Sequence, residues 1–381
     1  MQFIRRHVCV LYIVVLITVF VIYELNQNLK PIRNFHYVSF NISSRVIFIK
    51  DTNTTIQRKL LVPTSQTEST APVYTFLSFD NFSYPLDVDM VKLVQAYRQT
   101  GEVKHRVINP FTWPYLHNPR NTCLDTSAKF QNHMEDVFLL FVVKSKYDNL
   151  QQRIAIRQTW GNMKYLKDVT VKTVFVLGTP VYGSFDYIWD EIKQFNDIIL
   201  MDFHDTYFNN TLKTSTLFNW VHEFCPKAHF IVSIDDDIFV SLKTLVRYLN
   251  QLPPKHRTNL YMGRLFDGYE PHRSNASKWH VPVSEYPWTK YPPFIAGGTV
   301  IMTMDFVSDV QIAMRHTKHF RLDDVYLAII AYKLGVKPVQ DTGIYGYRTS
   351  SLTKFVLSAQ GYTPSQLKQI WKQHNRFLTT V

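Results

Sequence analysis

Residues 229–240 read HFIVSIDDDIFV. The apolar run Phe230–Ile234 leads straight into three adjacent carboxylates, Asp235, Asp236 and Asp237. An apolar run of this length without alternation suits a strand buried on both faces, as in a parallel sheet. Three more runs have the same texture: Val137–Val143 (VFLLFVV), Val171–Leu177 (VKTVFVL) and Ile198–Phe203 (IILMDF). Helical segments lie between them. Arg153–Trp160 follows the first strand, and Asn210–Phe224 carries Leu217, Trp220, Val221 and Phe224 on one face before Pro226 stops it. Strands alternating with helices predict an α/β fold around a mostly parallel sheet with right-handed crossovers. Ligands in such sheets bind beyond the carboxyl ends of the strands, and the aspartate triplet stands at one of them.

Three neighbouring carboxylates repel one another and call for a counter-charge. Oxygen ligands select Mg²⁺ or Mn²⁺, with substrate phosphates completing the shell. In an extended segment Asp235 and Asp237 point the same way and can share an ion, while Asp236 points elsewhere. The plainer alternative is a solvated acidic turn. Upstream, Lys144 ends the first strand, and Arg153 and Arg157 lie four apart on one helical face. That pair either grips a phosphate or forms a solvated face. A second acidic pair, Asp323-Asp324, opens the helical stretch RLDDVYLAIIAYKLG. There the macrodipole favours the ionised form, which suits an N-terminal cap and a general base alike. Gly297 and Gly298 stand together in a chain with only 12 glycines, marking either a close backbone approach to a ligand or a bend in a strand. The preceding stretch WHVPVSEYPWTKYPPF carries rings that suit either sugar stacking or core packing.

The chain has 381 residues, 46% hydrophobic and 19% charged, a globular composition that excludes a disordered or collagen-like chain. Its net charge is +12 without any basic run of five or more, which argues against nucleic acid and for a small anionic ligand. Residues 8–23 read VCVLYIVVLITVFVIY, behind Arg5, Arg6 and His7 and before Glu24-Leu25-Asn26-Gln27. The lack of a small-residue cleavage pattern favours a signal anchor over a cleaved leader, with residues 1–7 cytosolic. The polar stretch 24–105 reads as a stem, and 106–381 as the catalytic body. Asn-x-Ser/Thr acceptors at Asn41, Asn53, Asn81, Asn209 and Asn275 agree with a lumenal chain. Cys123 and Cys225 allow one disulfide.

Taken in order, RxxIRxTWG (153–161), FVLG (175–178), DIIxxDFxDxYxNxTLKT (197–214), CP (225–226), the acidic triplet, YPPFxxGGxxxM (291–302) and DDVYL (323–327) resemble the β1,3-galactosyltransferase family, glycosyltransferase family 31. The resemblance covers roughly residues 106 to 375. It implies a GT-A fold, a Rossmann-like sheet with flanking helices, behind a single membrane span in a type II Golgi protein. It implies transfer of galactose or an N-acetylhexosamine from a UDP-sugar to a glycan hydroxyl, with inversion, on a glycoprotein or glycolipid, commonly with Mn²⁺. Asp237 then matches the metal ligand that bridges to the diphosphate, and Asp235 the residue near ribose and metal. Lys144, Arg153, Arg157, Asp205 and Asp236 match positions about the nucleotide, with Gly297 and Gly298 beside them. Asp324 matches the expected general base, with Asp323 where relatives often carry Glu. One position departs: Gln360 stands where many relatives have a metal-binding His, four residues before Pro364. His374 is a candidate replacement. Gln360 also supports the alternative of a catalytically weak relative that binds glycans or assists another transferase.

Overall fold

The computed structural model describes residues 88–125, 133–162, 165–166, 169–183, 186–349 and 355–380. The chain divides into Met1–Ala71 and Pro72–Val381, and all described residues belong to the second unit. Along it run α1 (Met90–Thr100), β1 (Tyr115–His117), β2 (Val137–Lys144), α2 (Leu150–Arg157), β3 (Tyr165–Leu166), β4 (Val169–Thr179), α3 (Asp186–Phe195), β5 (Ile198–His204), α4 (Asn210–Phe224), β6 (Ala228–Asp235) and β7 (Ile238–Val240). Then follow α5 (Leu242–Gln251), β8 (Tyr261–Phe266), β9 (Phe294–Thr303), α6 (Met304–Met314), α7 (Asp323–Lys333), β10 (Val339–Gln340), β11 (Ile344–Tyr345), β12 (Ser358–Gln360) and α8 (Pro364–Thr380). The main sheet runs β1-β5-β4-β2-β6-β9-β8-β10. Its centre, β5-β4-β2-β6, is parallel, and β9 joins β6 antiparallel. A small sheet, β11-β12-β7, stands apart from it.

The strands place two cores on opposite faces. Alternate residues of β2 divide between them: Leu140 and Val142 pack with α4, α6 and α7, while Leu139, Phe141 and Val143 pack with α2, α3, α5 and α8. This is the period-2 division of a strand buried on both sides. All four expected strands form, and α4 has the expected bounds. Two expectations change. The helix expected over 153–160 begins at Leu150 and ends at Arg157, with a single 3₁₀ turn at Trp160–Asn162. Residues 88–105, expected within the stem, carry a helix that packs on the body. Helix α1 is capped by Asp89, ends at Gly101 with φ 72°, and buries Met90, Leu93 and Val94 in the body's core. Arg98 pairs with Asp309 of α6 at 2.6 Å. Cys123 and Cys225 form the disulfide that the sequence allowed, closing a separation of 102 residues. The expected span at residues 8–23 lies outside the described residues. Among those described, no helix is long and apolar enough to cross a membrane.

Candidate active site

The parallel register of β2 and β6 sets Lys144 directly opposite Asp235 at the carboxyl ends of both strands. Lys144 is only 8% exposed. Its Nζ lies 3.3 Å from Asp235 Oδ1 and 2.7 Å from Asp323 Oδ2, and it donates to the Gly297 carbonyl at 3.2 Å. One buried cation thus joins β2, β6, β9 and the first turn of α7. Burial works against its charge, but Asp235 and Asp323 outweigh burial and hold it above the ordinary lysine range. The glycine pair reaches this point through a bulge. Pairing of β8 with β9 passes from Gly263↔Val300 to Leu265↔Ile295, so Ala296–Thr299 loop out opposite Arg264. A Cβ on Gly298 would come within 2.8 Å of Gln360 Oε1, so glycine there admits the Gln360 side chain.

The acidic triplet is a turn rather than part of one extended segment. Asp235 closes β6, Asp236 and Asp237 form the turn, and β7 starts at Ile238. Asp236 is buried and accepts from Ser145 Oγ at 2.7 Å and Asn149 Nδ2 at 2.9 Å, so it holds the turn. Asp237 stays available. Strand β12 pairs antiparallel with β7 and brings Gln360 beside it, with Nε2 3.5 Å from Asp237 Oδ1. Burial, then the charges of Asp235 and Asp236, push the Asp237 carboxyl up to about 6. Among the described residues no three His, Cys, Asp or Glu side chains converge as a complete metal cage. Two carboxylates that resist ionisation, with an amide oxygen within reach after a flip of Gln360, nevertheless fit a hard divalent ion. Such an ion takes one or two carboxylates and leaves the rest of its shell to water and phosphate. His374 cannot join them: it is 2% exposed and bonded through Nε2 to Ser241 Oγ.

The two carboxylates of α7 have different surroundings. Asp323 is engaged by Lys144 and by Thr214 Oγ1 at 3.1 Å. Burial raises its pKa, but the Lys144 charge and these hydrogen bonds outweigh burial, and the carboxyl stays below its ordinary range. Among the described residues Asp324 accepts only its neighbour's amide, Val325 N, at 2.8 Å. Burial, then the Asp323 charge, push it up to about 7, so the helix N-terminus does not decide its ionisation as the sequence reading expected. The two neighbouring acids therefore differ: Asp323 is held as a paired anion, and Asp324 stays near neutrality. Both line a cavity of about 360 Å³ with Tyr207, Arg264, Phe266, Tyr269, His272, Trp279, Tyr291, Phe294, Arg321 and Gln360. A larger opening of about 620 Å³, around Asp136, His229 and Arg257, lies at the opposite ends of the strands and holds none of these groups.

Arg153 and Arg157 are both engaged by carboxylates and do not line the cavity. Arg153 is fully buried and bidentate to Glu191 at 2.8 and 2.7 Å, and it also donates to Ser145 Oγ at 3.0 Å. Arg157 pairs with Glu191 at 2.7 Å and with Asp197 at 2.8 Å, and its guanidinium lies 4.0 Å from the Phe195 ring centroid. The chain Arg157–Glu191–Arg153–Ser145–Asp236 therefore braces the acidic turn from behind. Asp205 is likewise removed from the cavity, buried and paired with Lys213 at 2.7 Å. Glu191 and Gln360's contact with Asp237 complete the site, and the sequence reading did not identify Glu191. A signal existed: Ile188, Glu191 and Ile192 share the buried side of α3, and a buried glutamate needs a cation. Of the glycosylation candidates, Asn41, Asn53 and Asn81 lie outside the described residues. Asn275 is exposed, while Asn209 is partly buried and donates to the His204 carbonyl at 2.7 Å.

A family model described as galactosyltransferase matches residues 151–342. Lactosylceramide 1,3-N-acetyl-beta-D-glucosaminyltransferase B of Xenopus laevis is 41% identical over 233 residues, 59% of this chain and 59% of that protein. Beta-1,3-galactosyltransferase 1 of Mus musculus is 32% identical over 277 residues, 71% of this chain and 81% of that protein. The chain thus spans about three fifths of the N-acetylglucosaminyltransferase it matches. Among solved structures, a glycosyltransferase involved in glycosylation of the PBCV-1 major capsid aligns with TM-score 0.32 and 11% identity, over 62% of this chain and 99% of that one.

Proposed function

Since this chain belongs to the galactosyltransferase family, we propose that it is an inverting β1,3-glycosyltransferase using a UDP-sugar donor. The observation that carries the reading is Asp324: a carboxyl held near neutrality on a rigid helix end, facing a cavity at the carboxyl ends of the strands. Its carboxylate accepts the proton of the acceptor hydroxyl. The acceptor oxygen then bonds to the anomeric carbon as the bond to the β-phosphate oxygen breaks. The electron pair leaves with UDP, and attack from the opposite face inverts the centre. Asp323 and Lys144 fix the helix end that presents Asp324, and the braced turn presents Asp237. Asp237 and Asp235, with the Gln360 amide, would hold Mn²⁺ or Mg²⁺. When bound, such an ion offsets charge on the diphosphate.

The name of the 41% identical relative makes UDP-N-acetylglucosamine with a lactosyl acceptor the first pair to test, and UDP-galactose and UDP-N-acetylgalactosamine follow. The acceptor is a glycoprotein or glycolipid glycan. On the same reading the body works in the Golgi lumen behind a single span at residues 8–23, glycosylated at Asn275. UDP release by the full-length chain, measured donor by donor with and without lactosides, tests the reading. Turnover with one donor that disappears in Asp324→Asn is the expected result. UDP binding with no turnover of any donor or acceptor would favour the assisting role that Gln360 suggests.

A further inference from the structure

A UDP-sugar brings a charged diphosphate into a site whose cations are almost all engaged. Within the site Lys144 is held by Asp235 and Asp323 and Arg321 by Glu285; behind it Lys213 is held by Asp205, and Arg153 and Arg157 by Glu191 and Asp197. Arg264 is different. It lines the cavity with Asp324 and Gln360, and no carboxylate lies within ion-pair distance of it among the described residues. Its guanidinium lies over the Phe266 ring at 5.0 Å and against Gly346, where an added Cβ would overlap Nη1. It stands opposite the Ala296–Thr299 bulge; within that bulge Gly298 abuts Gln360, and Gln360 reaches Asp237. The unpaired cation is thus on the wall that leads to the acidic turn.

Resting on the UDP-sugar reading, we propose that Arg264 is the cationic contact for the donor's diphosphate, and that Gly346 keeps the space that lets its guanidinium face the cavity. A planar guanidinium matches phosphate oxygens with two parallel N–H donors, which a lysine cannot reproduce. Arg264 binds and orients. The bond changes at the anomeric carbon are those already described.

Calorimetric titration of the full-length chain with UDP and with uridine, each in Mn²⁺ and in EDTA, tests this. Arg264→Gln should weaken UDP binding about tenfold to a hundredfold, the range for a lost charge-assisted contact, and leave uridine binding unchanged. Arg264→Lys should fall between. Gly346→Ala should weaken UDP binding without removing a charge, which keeps the test open if Arg264→Gln folds poorly. The proposal is overturned if UDP affinity is unchanged in these variants, if UDP and uridine weaken equally, or if only the KM of an acidic acceptor rises. A wild-type chain that releases UDP from donor while Arg264→Gln binds UDP normally defeats this proposal alone. A wild-type chain that neither binds nor releases UDP defeats the underlying reading with it.

Discussion

Asp324→Asn should abolish turnover and yet stabilise the protein. The Asp324 carboxyl lies at about 7 in the folded chain, against about 3.8 for a free aspartate. A raised carboxyl favours the folded state only while it is protonated. Relative to low pH, that advantage is lost as pH rises through about 7, because ionising a carboxylate beside Asp323 costs more in the fold than in the unfolded chain. Raised to about 7, the carboxyl costs the fold on the order of a few kcal/mol at pH 8, at about 1.36 kcal/mol per pH unit. Asparagine keeps the oxygen that accepts from Val325 N and removes the charge. At roughly 2–4 °C per kcal/mol, the variant should melt several degrees above wild type at pH 8. The gap should close as pH falls toward 4. The same change should lower kcat by about 10²–10⁴-fold while UDP affinity stays within a few-fold. Thermal melts from pH 4 to 8.5 in EDTA, beside UDP-release kinetics, provide the measurement. A variant that melts below wild type at pH 8, or one that retains most of its turnover, would refute the assignment of Asp324 as the strained base.

Glu191→Gln should destabilise the fold by about 3–5 kcal/mol in denaturant titration, because it leaves two guanidiniums short of their shared carboxylate in a buried network. Unchanged stability would mean that the network does not brace the acidic turn. Cys123→Ser should cost about 2–5 kcal/mol in the same assay, the usual loss on removing a native disulfide from a long loop, and reductant should do nothing further to that variant. Gln360→His should lower the Mn²⁺ concentration for half-maximal UDP binding at pH 7.5 about tenfold, since imidazole is the better partner for Mn²⁺ beside Asp237. An unchanged Mn²⁺ requirement would place residue 360 outside the ion's reach.

The central sheet was legible because its strands are buried on both faces and therefore read as unbroken apolar runs. Helix α4 was legible because one face is apolar and Pro226 fixes its end. The acidic triplet and the pair at 323–324 were legible as unusual charge beside apolar elements. What the chain hides is pairing. Arg153 and Arg157 read as free cations, and only the fold brings Glu191 and Asp197, 34 to 40 residues away, against them. Asp236 and Asp237 differ by one residue in sequence, yet a turn sends one toward Ser145 and Asn149 and the other toward Gln360. Helix α1 was missed because a short amphipathic segment at the edge of a polar stretch shows little periodicity, and its burial depends on α6.

The chemistry of the site follows from a shortage of positive charge. Lys144 is the only cation in contact with the carboxylates at the ends of β6 and α7 among the described residues, and it faces Asp235 and Asp323 together. Its charge is shared before Asp324 is reached, so Asp324 feels Asp323 more strongly than it feels the lysine. Asp237 is raised first by burial and then by the charges of Asp235 and Asp236, with no cation beside it among the described residues. A second buried lysine in this position would neutralise both acids, leaving a weak base and a turn with little attraction for a cation. The fold instead fixes one lysine by strand register and leaves two carboxyls under-compensated. Asp324 lines the cavity, and Asp237 stands beside Gln360 at the acidic turn; on the proposed reading the first accepts a proton and the second helps to hold a divalent ion. The same shortage makes Arg264 consequential: in a cavity this acidic, an unpaired guanidinium keeps the attraction for anions that the buried arginines have already given to Glu191 and Asp197.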